Sequence, residues 1–235
     1  MTGVVLEHQV ERNDLALGGV RVRATSVNTP AALTDALSAL IEERQADLPP
    51  DIEQRRKECR DVLRNGKYKP TGRGKPASEY LLRSARDGTF PRINGLVDAT
   101  NLVSLKTLMP ISLWDVDRAR ERAFVFRLGE PGLSYVFNPA GNEMDLQDLV
   151  CGGTVTEDVW SPLVNPVKDS MKTKTDAETT EVAAVIYAPV SAIGDGTLDA
   201  ACRDLLGWLR SCGTPDASGD IAILRAGERK TLLDC

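Results

Sequence analysis

The sequence predicts an α+β fold in which a mixed sheet is flanked by helices. Three helical patterns cluster between about residues 29 and 88, and short β-rich runs with one late helix follow between about residues 90 and 225. We expect a single domain over residues 1–235. The basic loop 67–75 is a candidate internal boundary, but the parts on either side are too short to form two independent domains.

The first elements are a strand and a helix. Residues 20–24 alternate between apolar and basic side chains, which predicts a strand. Thr29 followed by Pro30 predicts the start of a helix, with Thr29 as the N-cap and Pro30 at the first helical position. The apolar residues that recur at helical spacing behind this start are Leu33, Leu37, Leu40 and Ile41.

Two more helices are predicted from their stop residues. One runs from about residue 51 to residue 65 and ends at Gly66. The other covers about residues 76–87 and ends at Gly88, with Tyr80 directed inward.

The segment 91–117 mixes small polar residues with apolar residues at near-helical spacing, and it is interrupted at Pro110. A purely structural helix is not expected to carry so many polar groups beside its apolar face. Buried polar groups are costly unless they are hydrogen-bonded, so the segment predicts either a polar pocket or ties between elements. Trp114 is predicted to lie in the core. The polar residues are Arg92, Asn94, Asp98, Thr100, Asn101, Ser104, Ser112 and Asp115.

The second half of the chain reads as strands with one helix. Strands are predicted at 124–128, 133–137, 182–187 and 221–224, a loop at 168–179, and a helix at 198–210 with Gly213 as its C-cap. A strand is expected to end at 151–153. There Gly152 and Gly153 favour a simple turn over a backbone nest for an anion.

The charge distribution is uneven. The net charge of -5 argues against strong generic binding to nucleic acid. Between Gln54 and Arg86, however, eleven Lys or Arg residues face only three acidic residues. Such a run is either a solvated helix face or a surface that contacts phosphates. If it contacts RNA, the residues expected to do so are Arg55, Arg56, Arg60, Lys67, Lys69, Arg73 and Lys75.

Several chemistries are disfavoured. The five cysteines are scattered and form no CxxC pair, which argues against a disulfide framework and a zinc site and fits a cytoplasmic protein. His8 is the single histidine and is expected in an exposed tail, so triad catalysis and a His-ligated metal are disfavoured. Gly72 to Lys75 lacks the spacing of a phosphate-binding loop. We expect no cofactor, no secretory signal and no membrane span.

The run Arg92-x-Asn94-x-Leu96-Val97-Asp98-x-x-Asn101, followed by Pro110-x-x-x-x-Asp115, resembles the B3/B4 domain of the bacterial phenylalanyl-tRNA synthetase beta subunit. More loosely, the similarity extends from about residue 20 to residue 190. The pair Ser78-Glu79 and the run 172–175 resemble freestanding B3/B4 proteins. The resemblance implies a B3/B4-like α+β fold without a synthetase active site.

The resemblance also implies an activity. The B3/B4 domain is an editing module that hydrolyses tyrosine wrongly attached to the phenylalanine tRNA, because an apolar pocket discriminates only about 100-fold against an added hydroxyl. The partners implied are tRNA or aminoacyl-tRNA and an amino-acid-like small molecule. Thr100 and Asn101 correspond to pocket positions. The family's histidine is replaced by Ser112, which is expected to point into a widened pocket and cannot take a proton as imidazole does.

The same resemblance implies roles for the remaining motif residues. We expect Thr100, Asn101 and Ser112 to orient the attacking water. The editing acid of the family has no secure counterpart, although Asp176 and Glu178 lie in the right region. The residues expected to bind substrate are Arg92, Asn94, Asp98, Ser104 and Asp115, with Asp98 and Asp115 equally suited to brace the backbone.

Three functions remain open on the sequence. The first is a hydrolase that acts in trans on misacylated tRNA. The second is a module that binds a free amino acid or similar small molecule without chemistry, and the missing histidine favours it. The third is an RNA-binding protein that uses the fold without its pocket. The sequence does not specify the amino acid, the tRNA or the oligomeric state.

Overall fold

The computed structural model describes residues 3–233, and within them the chain forms an α+β fold with a mixed sheet, as predicted. The helices are α1 (Ala31–Glu43), α2 (Pro50–Val62), α3 (Ala77–Arg86), α4 (Gly95–Thr107), α5 (Val116–Ala119), α6 (Ser191–Gly194) and α7 (Thr197–Ser211). The strands are β1 (Val4–His8), β2 (Leu15–Arg23), β3 (Ile111–Asp115), β4 (Ala123–Leu128), β5 (Ser134–Val136), β6 (Glu143–Asp145), β7 (Val150–Thr156), β8 (Val159–Val164), β9 (Glu181–Pro189), β10 (Ser218–Leu224) and β11 (Arg229–Leu232).

A four-stranded antiparallel sheet lies at the centre, in the order β10-β2-β9-β3. Strand β9 is buried along its whole length and pairs with β2 on one side and β3 on the other. A strand buried on both faces reads as a continuous apolar run, which is why residues 182–187 were recognisable as a strand. The predicted strand at 182–187 is confirmed and extends to Glu181–Pro189.

A second, five-stranded sheet follows the order β11-β1-β4-β7-β8. It is mixed, because β1 and β4 run parallel while the other neighbours run antiparallel. Strands β5 and β6 form a separate hairpin.

The central sheet lies between the helices and the second sheet. Side chains alternate along a strand, so each strand of this sheet contributes to two cores. On one face, Val20 and Ile186 pack with α1, α3, α4 and α7. On the other face, Leu17 and Tyr187 pack against the second sheet, where the rings of Phe126 and Tyr187 lie 6.2 Å apart.

The early helices and the late helix are confirmed, and two details of their prediction are wrong. Helix α1 begins at Ala31, and Pro30 with its extended backbone occupies the N-cap, so Thr29 does not cap it. Tyr80 is only half-buried, because its hydroxyl reaches out to donate to the Gly72 carbonyl at 3.2 Å.

The strand predictions miss five elements and misplace a sixth. Strands β1, β3, β6, β8 and β11 were not predicted, and β2 begins at Leu15 instead of residue 20. Gly152 and Gly153 lie inside β7 and form neither a turn nor an anion nest. Their small size is required by packing, since a Cβ on Gly152 would lie 2.4 Å from the Phe126 ring and one on Gly153 would lie 2.3 Å from the Ser161 carbonyl oxygen.

The segment 91–117 becomes a helix, a tight turn and a strand. Helix α4 ends where Leu108 adopts a left-handed backbone conformation with φ 54°. Pro110 follows and cannot continue a helix, so the chain enters β3. Trp114 is fully buried, as predicted, with its ring 4.8 Å from that of Phe124.

None of the helices within residues 3–233 combines the length and the apolar composition needed to cross a membrane. Four cysteines are buried free thiols, and the fifth, Cys235, lies outside the described residues. The four are Cys59, Cys151, Cys202 and Cys212.

Candidate functional site

A cavity of about 240 Å³ opens where the first half of α4 meets strand β3 and the segment 165–175. Its walls are mainly apolar, with a few polar side chains among them. The residues that line it are Ala77, Ile93, Asn94, Val97, Thr100, Asn101, Ile111, Leu113, Asn165, Val167, Lys168, Asp169, Lys174 and Thr175. Apolar walls with a few converging polar groups are typical of small-molecule sites.

Asn94 fixes the start of the helix that forms one wall. Its side-chain oxygen accepts a hydrogen bond from the Val97 amide at 3.0 Å, which is an N-cap. Its side-chain nitrogen donates to the Thr175 hydroxyl at 3.3 Å and so ties α4 to the opposite wall. Asp98 is buried and accepts from the Ile93 amide at 3.1 Å, so it braces the backbone and does not line the cavity.

Thr100 and Asn101 both line the cavity, where the resemblance places pocket residues, but they differ in how free their polar atoms are. The Thr100 hydroxyl donates to the Leu96 carbonyl one turn earlier, at 2.9 Å. The Asn101 side chain makes no hydrogen bond to any of residues 3–233. An amide offers two donors and an acceptor, so Asn101 is equipped to bind a polar group of a ligand.

Asp169 also lines the cavity, and the sequence interpretation did not identify it. Burial raises the pKa of Asp169 to about 6, although the Ser112 hydroxyl, the amides of Leu113 and Asn165 and the charge of Lys174 oppose the shift. The amides donate to the two carboxylate oxygens at 3.2 and 3.1 Å. A carboxylate accepts about four hydrogen bonds, so Asp169 retains capacity for a ligand or a water.

Ser112 does not line the cavity, and the expectation that it points there is wrong. It lies between Ile111 and Leu113 on a strand, and because those two side chains face the cavity, Ser112 faces the opposite side. It is fully buried, donates to the Asn165 carbonyl at 3.0 Å and lies 3.1 Å from the Tyr187 hydroxyl.

Arg92 and Ser104 also lie outside the cavity lining. Arg92 is exposed and donates to the Ser38 hydroxyl at 2.9 Å, so it ties α4 to α1 and does not pair with Asp98. Ser104 is buried and donates to the Met109 carbonyl at 2.8 Å, which closes the turn after α4.

The acidic residues further along the chain are engaged elsewhere. Asp115 caps α5 by accepting from the Arg118 amide at 2.9 Å and accepts from the Thr179 hydroxyl at 2.7 Å. Asp176 and Glu178 are exposed, and neither lines the cavity. Asp176 forms an ion pair with Arg118 at 2.5 Å.

His8 is fully buried in β1, so the expectation of an exposed tail residue is wrong. Its Nδ1 accepts from the Val10 amide at 3.3 Å, and its Nε2 lies 3.3 Å from the Leu15 carbonyl oxygen. Burial lowers the pKa of His8 despite that carbonyl and the charge of Glu228. The neutral imidazole is part of the fold and does not line the cavity.

The basic run divides into two parts. The arginines of α2 are engaged in ion pairs: Arg55 pairs with Asp195, while Arg56 and Arg60 both pair with Glu79. Their charges are therefore largely balanced within the fold.

The basic loop that follows α2 is different. Lys67, Lys69 and Arg73 are exposed and line a second, wider depression beside the cavity, while Lys75 is half-buried and lines a separate depression with Glu79.

Comparison with known protein families assigns the chain to a family. A model of the B3/4 domain family matches residues 64–193, more than half of the chain. The matched span contains every residue that lines the 240 Å³ cavity. No curated protein matches the chain.

Proposed function

Because the chain belongs to the B3/4 domain family, we propose that it hydrolyses misacylated aminoacyl-tRNA in trans. The cavity supports the proposal, because Asn101, whose amide is unbonded, and Asp169 lie among its mainly apolar lining. Sites that bury drug-sized ligands measure roughly 300–1,000 Å³, so a cavity of about 240 Å³ suits a group of amino-acid size.

The chemistry follows from the groups that line the cavity. A water attacks the carbonyl carbon of the aminoacyl ester and passes a proton to Asp169. The bond between that carbon and the ribose oxygen then breaks, and the ribose oxygen takes the proton that Asp169 accepted from the water. The products are a free amino acid and a tRNA with a free hydroxyl. Above a pH of about 6 Asp169 is ionised, and its raised pKa makes it a better base than an ordinary carboxylate.

Asn101 supplies a hydrogen-bond donor that can stabilise the transition state. As water attacks, negative charge develops on the former carbonyl oxygen, and a fixed donor near that oxygen stabilises the transition state. The side-chain nitrogen of Asn101 can donate without giving up a bond within the described residues. Aminoacyl esters are activated, so positioning combined with one weak base is sufficient for hydrolysis.

A deacylation assay tests the proposal. Wild-type protein is mixed with tyrosyl-tRNA and with other mischarged tRNAs, and release of the amino acid is followed between pH 5 and pH 8. We expect the rate to rise with pH through about 6 and to fall by roughly 10²–10⁴ in Asp169→Asn. Asp176→Asn is the matched control, since that carboxylate is exposed and outside the cavity. Release no faster than in buffer for every mischarged tRNA contradicts the proposal.

A second candidate is a module that binds an amino acid without chemistry. It is favoured because neither of the two hydroxyls expected to orient the attacking water is available in the cavity. The Thr100 hydroxyl donates to the Leu96 carbonyl, and Ser112 lies outside the cavity lining. Thermal-shift measurements with free amino acids distinguish the two. A binder is stabilised by about 2.7 kcal/mol at a ligand concentration of 100 Kd, and Asn101→Ala should remove most of that stabilisation.

A further inference from the structure

The depression beside the cavity is a groove of about 830 Å³ between the basic loop and the β5–β6 hairpin. We call it the basic groove. Lys168 lines both the basic groove and the cavity, so the two spaces adjoin at that side chain. The residues that line the basic groove are Lys67, Tyr68, Lys69, Arg73, Gly74, Phe137, Asn138, Asn142, Glu143, Met144, Asp145, Gln147 and Lys168.

The cations of the basic groove are available for a ligand. Lys67, Lys69 and Arg73 are exposed, and their side chains make no ion pair or hydrogen bond within the part of the chain that the structure describes. This distinguishes them from the arginines of α2. Unpaired cations in a concave surface attract phosphates, because the walls concentrate their field.

The two carboxylates of the basic groove do not cancel this charge. Glu143 accepts from the Ser134 hydroxyl at 2.9 Å, and Asp145 accepts from the Gln147 amide at 3.0 Å. Two carboxylates against the three loop cations and Lys168 leave an excess of positive charge along the groove.

Aromatic side chains complete the site. Tyr68 and Phe137 are half-buried in the groove walls. Lys168 lies over the Phe137 ring, with its Nζ 4.0 Å from the ring centroid. Cationic grooves with aromatic side chains are the usual means of binding single-stranded nucleic acid, with the backbone on the cations and bases against the rings.

We propose that the basic groove binds the single-stranded 3′ end of an RNA and delivers its terminal aminoacyl group to the cavity past Lys168. This inference rests on the proposed function and assigns the RNA contact to the basic groove instead of α2. A sequence-tolerant, salt-sensitive interaction is expected, since phosphates and stacked bases supply most of the contacts.

Fluorescence anisotropy tests the inference. The probe is an unacylated RNA hairpin with a four-nucleotide single-stranded 3′ extension ending in CCA and a fluorophore at its 5′ end. Its affinity is measured between 50 and 200 mM salt for wild type, for the double variant Lys69→Gln/Arg73→Gln, and for the matched control Arg225→Gln/Lys230→Gln. The control removes the same charge at exposed positions of the described chain outside the basic groove.

We expect the slope of log affinity against log salt to be shallower by about 1.4 in the groove variant, because each single-stranded phosphate contact contributes about 0.7. The control should retain the wild-type slope. A blunt-ended hairpin should bind more weakly than the extended one. The inference is overturned if wild type does not bind the extended hairpin, or if the groove variant and the control give the same slope.

Hydrolysis of tyrosine ethyl ester, which has no nucleotide, separates this inference from the proposed function. If the ester is hydrolysed but the RNA affinity does not change when Lys69 and Arg73 are substituted, the groove assignment is overturned and the proposed hydrolase activity stands. Groove-dependent RNA binding without hydrolysis of the ester or of any mischarged tRNA would support the groove and reject the hydrolase.

Discussion

Replacing Asp169 with asparagine should change how the stability of the fold depends on pH. Burial raises the pKa of Asp169 to about 6, whereas an aspartate in an unfolded chain titrates near its ordinary pKa of about 3.9. The native state therefore binds this proton more tightly than the unfolded state does. The stability that protonation confers is fully present below about pH 4 and is lost as the pH rises through about 6.

The size of the effect follows from the pKa difference. About two pKa units correspond to roughly 3 kcal/mol at 1.36 kcal/mol per unit. The unfolded chain is already half ionised near pH 4, so about 2–3 kcal/mol should be lost between pH 4 and pH 7. Asparagine does not titrate. We therefore compare the free energy of unfolding of wild type with that of Asp169→Asn at each pH. The difference, wild type minus variant, should fall by about 2–3 kcal/mol between pH 4 and pH 7. Any effect of the substitution that does not depend on pH cancels in this comparison.

Urea unfolding followed by tryptophan fluorescence measures this difference, because the buried Trp114 reports on the core between the two sheets. Both proteins are unfolded at four pH values between 4 and 7, with Asp35→Asn as the control on the exposed face of α1. The control should track wild type at every pH. A constant difference between wild type and Asp169→Asn from pH 4 to pH 7 refutes the assignment of a raised pKa to this carboxylate.

Three further predictions concern the fold, and each is checked by the same urea titration at pH 7. Gly152→Ala should destabilise the protein by about 1–3 kcal/mol, because its Cβ would lie 2.4 Å from the Phe126 ring; an unchanged midpoint contradicts this. Gly207→Ala should instead stabilise the protein by about 0.5–1 kcal/mol, since Gly207 is an exposed position of α7 and nothing lies within 4 Å of the new Cβ. Glu181→Gln should lower the free energy of unfolding by about 3–5 kcal/mol, because the Arg21 guanidinium, which is 1% exposed and 2.7 Å from Glu181, would lose a buried counter-charge. A loss of stability below about 1 kcal/mol would show that water or another group compensates.

The helices were the most predictable part of the fold. Their apolar residues recur at helical spacing, and Gly88 follows the C-cap of α3 with the positive φ that glycine tolerates. The predicted end of α2 was less accurate, because that helix ends at Val62, four residues before Gly66. Strands β1 and β8 were missed for a physical reason. Each is short, and β8 contains Pro162, which argues against a strand unless it lies at a sheet edge. Strand β8 does lie at the edge of its sheet, a fact that only the tertiary structure reveals.

The candidate site was predicted in part. Asn94, Thr100 and Asn101 were identified from the motif and line the cavity. Ser112 was misplaced because no strand was predicted after Pro110. In β3 the alternation of side chains puts Ser112 on the face opposite Ile111 and Leu113.

Asp169 could not be identified in the same way. It lies in a polar loop with no periodicity, and its environment is created by residues far from it in sequence. The Leu113 amide that binds it belongs to the outer edge of β3, 56 positions away, and only folding brings that edge against the loop. The cations of the basic loop could be recognised in the sequence. What the sequence could not show is that the arginines of α2 are neutralised and the loop cations are not, because the acids that pair with those arginines, such as Glu79 and Asp195, are brought to them only by folding.

Ionised Asp169 makes the fold less stable near neutral pH than protonated Asp169 would. An ionised carboxylate against Ile111 and Leu113 loses hydration, and the two amides that bind it recover only part of that free energy, as its raised pKa indicates. Selection removes such charges unless they serve a purpose, so strongly shifted groups concentrate at functional sites. This links the two pH experiments. If Asp169 is the base, the loss of stability must level off near pH 6, at the pH where the deacylation rate reaches half of its maximum. A stability difference that levels off more than one pH unit away from that midpoint would assign the two effects to different groups and leave Asp169 with a structural role only.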